Sequence, residues 1–278
     1  MKDIFDKYSR EASKEVTRSY STSFYAGVNR LGENIRDDIH AIYGFVRFAD
    51  EIVDSFHEFP KEELLFEFEA DTKKAIQRGI SLNPILNSFQ HTVNKYNIDL
   101  ALIDQFLDSM KMDLSPVEYQ QENYDSYILG SAEVVGLMCL KVFVEGNEDL
   151  YLELKPYSMK LGSAFQKINF LRDLNQDYHE LGRSYFPNVD IENMSIADKL
   201  LIEKEIEEEF KEALVGIKKL PKSSRAGVFI SYKYYLSLLD KIKRKTTQEL
   251  LDSRIRVPDS TKFMIFIKSM ARIKLNRL

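Results

Sequence analysis

Residues that break helices are scarce in this 278-residue sequence, which has 11 glycines and 7 prolines. Leucine, isoleucine, lysine and glutamate, which form helices readily, are abundant. Hydrophobic residues make up 44% of the chain and charged residues 30%, as is ordinary for a globular protein with a full core. The composition predicts an all-α fold, and we interpret residues 1–278 as one domain of eight to ten helices.

Other scarcities exclude further classes of protein. The single cysteine, Cys139, rules out an internal disulfide and a cysteine-rich metal site, and its apolar neighbours predict a buried structural thiol. The formal net charge is −5, so no basic field attracts nucleic acid, and we expect no such partner. The first residues lack the apolar core of a signal peptide. No uninterrupted apolar run reaches the ~20 residues that cross a bilayer, so we expect a cytoplasmic location.

Short breaks separate segments with helical periodicity. Ser81 and Asp99 are placed to cap helices that follow them, and another helix should begin at Lys61. We interpret the longest loop, 182–193, as an ordered flap. The segment 195–219 mixes glutamates with lysines, and this pattern is typical of a solvated helix face.

Two predicted helices carry a pair of aspartates at a spacing of four residues. Residues four apart lie about 40° apart around a helix axis, so each pair shares one face. The surrounding residues are mostly apolar, which indicates helices that pack inside a bundle. The first helix carries Tyr43, Arg47, Asp50 and Asp54 on this face, and the second carries Gln166, Asn169, Asp173 and Asp177.

Carboxylates on a buried helix need a cationic partner. Two like charges four residues apart repel by roughly 0.2–0.5 kcal/mol even at a helix surface, and desolvation adds a larger cost. Mg²⁺ removes this cost, since it binds one or two carboxylates together with water and substrate phosphates. Two facing acidic helices would therefore hold metal ions that neutralise a diphosphate. Spacing alone is a weak signal, because Asp104 and Asp108 share it, and we interpret that pair as solvated.

These segments resemble the two aspartate-rich motifs of the squalene and phytoene synthase family. The first motif covers residues 47–54 and the second covers 166–177, followed as in the family by Gly-Arg-Ser-Tyr-Phe-Pro at 182–187. The resemblance spans nearly the whole chain in order. Weaker matches are the N-terminal Ser-x-Ser-Phe element at 21–24, the central Tyr-x-x-x-x-Ala-x-x-Val-Gly element at 127–136 and the basic C-terminal element at 253–258.

The resemblance implies an isoprenoid synthase fold, an all-α bundle with a central cavity, in which Mg²⁺ (alternatively Mn²⁺) joins the acidic motifs to substrate diphosphates. Tyr43 is a candidate proton acceptor, with the departing diphosphate as the alternative. The metal ligands implied are Asp50, Asp54, Asn169, Asp173 and Asp177. The substrate-binding residues implied are Ser23, Phe24, Arg47, Gln166, Asn169, Arg172, Arg183, Tyr185 and Arg254.

The reaction implied joins two geranylgeranyl diphosphates head to head, through a cyclopropylcarbinyl diphosphate, to give phytoene in the first step of carotenoid biosynthesis. This condensation needs no reductant, so no NADPH is expected. One alternative is squalene or dehydrosqualene synthesis from two farnesyl diphosphates, and another is a non-catalytic assembly factor of the same fold. Gln176, Glu133 and Leu129 depart from the family pattern, which puts the handling of the second substrate in doubt.

An allylic cation must be kept from water, so the cavity should have apolar walls. The last helix has Lys262, Arg272, Lys274 and Arg277 beside the largely apolar run 263–270. It is suited to transient contact with the inner membrane, and ordinary packing of a terminal helix is the alternative. Side chains available for the cavity walls, with core packing as the alternative for each, are Phe24, Phe45, Phe48, Leu137, Phe165 and Phe170.

Overall fold

The computed structural model describes residues 1–114, 121–179 and 181–275. Within these ranges the chain forms thirteen α-helices and one π-helical segment, and it forms no β-strand. The all-α prediction is confirmed. The helices outnumber the eight to ten expected because some, such as Thr22–Val28 and Thr247–Asp252, are too short to show periodicity in the sequence.

The helices follow one another through short connections, apart from the loop that precedes the tenth helix. A π-helical segment, Leu129–Glu133, joins α7 to α8 without interruption. The helices are α1 (Lys2–Tyr20), α2 (Thr22–Val28), α3 (Glu33–Ser55), α4 (Lys61–Arg78), α5 (Pro84–Tyr96), α6 (Leu100–Met112), α7 (Gln121–Ile128), α8 (Val134–Phe143), α9 (Glu148–His179), α10 (Ile196–Lys219), α11 (Lys222–Lys243), α12 (Thr247–Asp252) and α13 (Asp259–Lys274).

Local capping explains where several helices begin. The Asp99 side chain accepts a hydrogen bond from a backbone amide of α6, and α4 begins at Lys61, so both predictions are confirmed. The prediction that Ser81 caps α5 is wrong. Asn83 caps that helix instead, because Pro84 has the fixed backbone angle suited to the first helical position. The break predicted at Ser115-Pro116 lies outside the described residues.

The helices pack around two clusters of buried apolar side chains. One cluster is centred on Phe45 of α3, whose ring stacks on Phe89 with centroids 3.9 Å apart. The other gathers α9, α10 and α11, with Phe210 and Ile206 fully buried. The helices with the acidic motifs, α3 and α9, thus belong to different clusters, and both pack against α8.

One continuous helix, Gln121–Phe143, has the length and apolar composition of a membrane span. Polar residues interrupt its apolar run, so the sequence did not predict a membrane span here. About 56% of its most apolar window is buried inside the protein, and Val134 and Met138 belong to the core. A core helix of a globular bundle has these same properties.

The interpretation of residues 195–219 as a solvated face is wrong for one side of α10. Glu203 and Glu209 are buried there. Glu203 pairs with Lys199 on its own helix, and Glu209 accepts a hydrogen bond at 2.8 Å from Lys167 of α9. Burial is tolerated because each carboxylate has a cationic partner.

Candidate active site

The two acidic motifs line one cavity, of about 460 Å³, which we call the acidic chamber. Asp50 and Asp54 come from α3, and Asp173 and Asp177 come from α9. The sequence placed each pair on one helix face, and the fold turns both faces toward the same space. Other residues named from the sequence that line the chamber are Phe24, Tyr43, Arg47, Gln166, Asn169, Phe170, Arg172, Gln176, Arg183, Tyr185 and Arg254.

Arginines pair with the aspartates on both sides of the chamber. On α3, Arg47 binds Asp50 and Glu51. On α9, Asp173 accepts from Arg172 and, at 2.7 Å, from Arg254. These pairs show that the predicted diphosphate-binding cations lie within reach of the predicted metal ligands.

The loop after α9 delivers two further residues to the chamber. Arg183 Nη1 donates to Asp54 at 2.6 Å, so this loop connects to the acidic motif of α3. Tyr185 stacks on Phe170 of α9 with ring centroids 4.0 Å apart. The segment predicted as a flap therefore packs over the chamber through a salt bridge and an aromatic contact.

Crowding of carboxylates perturbs their ionisation. Burial, followed by repulsion from Asp54, raises the pKa of Asp50 to about 7. Burial, followed by repulsion from Asp173, raises the pKa of Asp177 to about 8. Among the described residues, the Asp177 side chain has no cationic partner within salt-bridge distance. The arginines of the chamber therefore do not neutralise all of its carboxylates.

An apolar tunnel of about 260 Å³ continues from the chamber. Phe24, Tyr43, Asn169 and Tyr235 belong to the walls of both cavities. Aromatic stacking forms the junction, with the Phe165 and Tyr235 centroids 3.8 Å apart. Deeper in, the walls are Gly27, Val28, Leu31, Ile39, Ile42, Val135, Cys139, Phe143, Leu161 and Val228.

Only some of the predicted wall residues reach these cavities. Phe24, Phe165 and Phe170 do, whereas Phe45, Phe48 and Leu137 pack in the core, as the alternative reading held. Cys139 is half-buried rather than fully buried, because one side of it lines the tunnel. Burial raises the pKa of its thiol to about 12, so the thiol stays protonated.

A basic groove of about 560 Å³ adjoins the chamber on another side. Arg172 and Arg254 belong to the walls of both. Ser23 lines this groove and not the chamber itself, beside Phe24, Arg172 and Arg254, which line both cavities. Arg256 and Lys262 add two more cations to the groove walls.

Comparison with known proteins agrees with this geometry. The model of the family described as squalene/phytoene synthase matches residues 17–261. The chain belongs to the squalene/phytoene synthase family. It is similar to a phytoene synthase from Arthrospira platensis, with 25% identity over 293 residues that cover 96% of this chain and 94% of the relative.

Solved structures of the same fold include two synthases. A dehydrosqualene synthase in complex with ligand superposes with a TM-score of 0.81 at 18% identity, covering 97% of this chain and 98% of the other. A squalene synthase from Alicyclobacillus acidocaldarius gives 0.74 at 19% identity, covering 87% and 95%. The predicted isoprenoid synthase fold is confirmed. Membership of the squalene/phytoene synthase family makes the chain a prenyltransferase of the head-to-head class.

The carboxylates of this family member fit an Mg²⁺ ion that takes only some of its ligands from the protein. No three histidine, cysteine, aspartate or glutamate side chains converge on a single metal position within residues 1–114, 121–179 and 181–275. Mg²⁺ does not need such a cage, because it keeps water ligands and shares substrate phosphates. Each aspartate pair, together with Asn169 on α9, could supply one or two ligands and leave the others to diphosphate and water.

Two residues that the sequence did not point to, Asp113 and Tyr235, position the side chains of Arg183 and Asn169. Asp113, at the end of α6, accepts a hydrogen bond from Tyr127 at 2.6 Å, and its backbone carbonyl accepts one from Arg183 at 2.9 Å. Burial raises the Asp113 pKa to about 6. Tyr235 of α11 donates to the Asn169 side chain at 3.2 Å. For Asp113, the signal in the sequence was an aspartate one helical turn after the apolar residue Met110, which is buried.

The departures from the family pattern fall in two places. Gln176 lines the acidic chamber beside Asp177, so the chamber lacks one charge that the family usually provides. Leu129 and Glu133 both lie in the π-helical segment, where Ser131 forms the chamber wall. Burial, followed by repulsion from Glu209 of α10, raises the pKa of Glu133.

Proposed function

We propose that this protein condenses two geranylgeranyl diphosphates head to head, through a cyclopropylcarbinyl diphosphate, to give phytoene. One observation carries the proposal: the chamber rich in carboxylates and arginines opens directly into an apolar tunnel. A diphosphate held in the chamber would extend its isoprenyl chain past Phe24 and Tyr43 into that tunnel. The similarity to a phytoene synthase over 96% of the chain supports the choice of product.

We propose Mg²⁺ as the cofactor, with Mn²⁺ as the alternative. When bound, Mg²⁺ neutralises the charge that develops on the leaving diphosphate. Asp50 and Asp54 would hold metal on one wall of the chamber, and Asp173 and Asp177 with Asn169 on the other. The raised pKa values of Asp50 and Asp177 support this role, since clustered carboxylates bind a divalent cation more readily than they coexist unpaired.

The arginines of the chamber would bind diphosphate oxygens once metal occupies the aspartates. Arg47, Arg172 and Arg183 already lie against these carboxylates, so small side-chain movements would turn them toward a substrate. Guanidinium groups suit phosphate because they donate two parallel hydrogen bonds. Further proposed substrate contacts are Ser23, Phe24, Gln166, Asn169, Tyr185 and Arg254.

The tunnel and its aromatic junction would exclude water from the allylic cation. Phe165 and Tyr235 stack at the junction, and Phe24 stacks on Tyr43 with centroids 4.9 Å apart. Burial raises the pKa of Tyr43 to about 12, so its phenol stays protonated at neutral pH. We therefore propose the departing diphosphate as the proton acceptor, with Tyr43 as a hydrogen-bond donor that orients it.

Product analysis tests this function. Purified protein is incubated with Mg²⁺ and either farnesyl or geranylgeranyl diphosphate, with and without NADPH, and the hydrocarbon is identified by mass spectrometry. We expect phytoene from the C20 substrate and no dependence on NADPH. A C30 hydrocarbon as the only product would overturn the choice of substrate.

Squalene or dehydrosqualene synthesis is the second candidate. Two of the solved structures that superpose on this chain are a dehydrosqualene and a squalene synthase, although at 18–19% identity they support the fold alone. A non-catalytic assembly factor is a third reading, and the retention of both acidic motifs on one chamber argues against it. Unchanged cellular phenotypes in Asp50→Asn and Asp173→Asn strains would favour that third reading.

A further inference from the structure

The last helix, α13, leaves a row of large apolar side chains exposed. Phe263 is 66% exposed, Met264 54%, Ile267 48% and Leu275 62%. Phe263 and Ile267 are four residues apart and share one helix face, whereas Leu275 lies just past the end of the helix. The opposite face holds buried Ser269, and the helix packs against α11. Burial inside the fold therefore does not account for the apolar row.

The charge of this helix differs from that of the whole protein. Over Asp259–Lys274 the sequence has four basic residues, Lys262, Lys268, Arg272 and Lys274, and one acidic residue, Asp259, which gives a formal charge of +3 in a chain whose net charge is −5. Lys268 and Arg272 are exposed beside the apolar row. An exposed apolar stripe edged with cations is typical of helices that lie in the interface of an anionic membrane.

A second exposed apolar patch lacks this charge pattern. Ile196, Leu200 and Leu201 of α10 are also exposed. Over Ile196–Lys219 the sequence has seven acidic and five basic residues, so anionic lipid would not attract that helix. Both helices thus expose apolar side chains, but only α13 has a charge opposite to that of an anionic lipid surface.

The position of α13 connects this face to the active site. Asp259 and Lys262, in its first turn, line the basic groove that adjoins the acidic chamber. Phe263 follows them directly on the exposed face. We propose that the exposed face of α13 docks on an anionic lipid bilayer and turns the mouth of the groove toward it. Substrates and products with long apolar chains would then pass between bilayer and chamber, whichever chain length the enzyme uses.

Vesicle sedimentation tests the proposal without any substrate. The full chain is mixed with vesicles of phosphatidylcholine alone or of phosphatidylcholine with phosphatidylglycerol. We expect binding to the anionic vesicles only, and release by salt, because screening weakens electrostatic attraction. The double variant Lys268→Glu/Arg272→Glu should lower partitioning by about tenfold or more. Phe263→Ser/Ile267→Ser should lower it to a similar extent by removing apolar contact.

A matched pair on α10 separates docking from general surface effects. Leu200→Ser/Leu201→Ser removes as much exposed apolar surface but should leave vesicle binding unchanged. All three double variants should keep wild-type turnover with detergent-dispersed substrate, since none of the changed residues lines the chamber. Equal loss of binding in the α10 variant, or no binding by the wild type, would overturn the proposal. So would a dimer in sedimentation velocity that the α13 substitutions dissociate, because a second copy would then cover this face.

Discussion

Arg183 donates a hydrogen bond to Asp54 at 2.6 Å, although the two residues are 129 positions apart in the sequence. The contact joins the loop after α9 to the acidic motif of α3. Asp113 holds the other side of the same guanidinium, through its backbone carbonyl at 2.9 Å and through its carboxylate at 3.7 Å from Arg183 Nε. Asp113 therefore acts as a positioning residue for Arg183, which in turn binds the Asp54 carboxylate.

Replacing Asp113 should impair catalysis without removing any chamber ligand. Asp113→Asn keeps the side-chain volume but removes the negative charge near Arg183, so we expect kcat to fall about ten- to a hundredfold. The Mg²⁺ concentration for half-maximal rate should also change. Tyr127→Phe removes the hydrogen bond to Asp113 but keeps the Asp113 charge, so it should have a smaller effect. A lower melting temperature with unchanged kcat and Mg²⁺ dependence would make Asp113 merely structural.

The aspartates of the chamber should matter for activity, whereas the equally spaced pair Asp104 and Asp108 should not. Asp54→Ala or Asp177→Ala should reduce turnover by roughly a hundredfold or more, while circular dichroism shows a folded protein. Asp104→Ala and Asp108→Ala serve as controls, since both side chains are exposed and pair with surface lysines. If the chamber variants fail to fold, the carboxylates are structural ion-pair partners.

The fold was predictable from the sequence because few helix breakers and long periodic segments specify helices locally. The acidic chamber was predictable in part, since the spacing of Asp50 and Asp54 places both on one helix face whatever surrounds them. Asp113 and Tyr235 were not, because their roles depend on partners that tertiary packing brings from distant segments. Glu209 was misread for the same reason: its partner, Lys167, lies on another helix.

Metal binding should release protons at neutral pH. In the absence of metal the pKa of Asp50 is about 7 and that of Asp177 about 8, so both carboxyls are partly protonated at pH 7. Mg²⁺ binds the ionised form, and its apparent affinity should therefore rise as the pH increases from 6 to 8. Calorimetry with Mg²⁺ and inorganic diphosphate, in two buffers of different ionisation enthalpy, measures the release. Asp177→Asn should release fewer protons, and heats that do not depend on the buffer would contradict the shifts.

Acid should destabilise the fold through His40. This buried residue hydrogen-bonds Thr17 at 2.9 Å, and burial lowers its pKa from the ordinary 6.5 to about 4. The unfolded chain binds the proton at higher pH, so the free energy of unfolding falls as pH decreases from 6.5 to 4. The loss attributable to this group is about 3 kcal/mol. Urea denaturation of the wild type and His40→Gln should give curves that converge over this range, and parallel curves would refute the assignment.

The tunnel makes a prediction about chain length. Cys139→Phe adds a ring to the tunnel wall, which should lower turnover of geranylgeranyl diphosphate more than that of farnesyl diphosphate, because the longer chain reaches further. Leu137→Phe on the same helix is the control, since Leu137 packs in the core. Overpacking there should cost about 1–3 kcal/mol of stability and leave the ratio of the two rates unchanged. If both variants alter the ratio equally, the tunnel does not select chain length at Cys139, and general loosening of α8 explains the change.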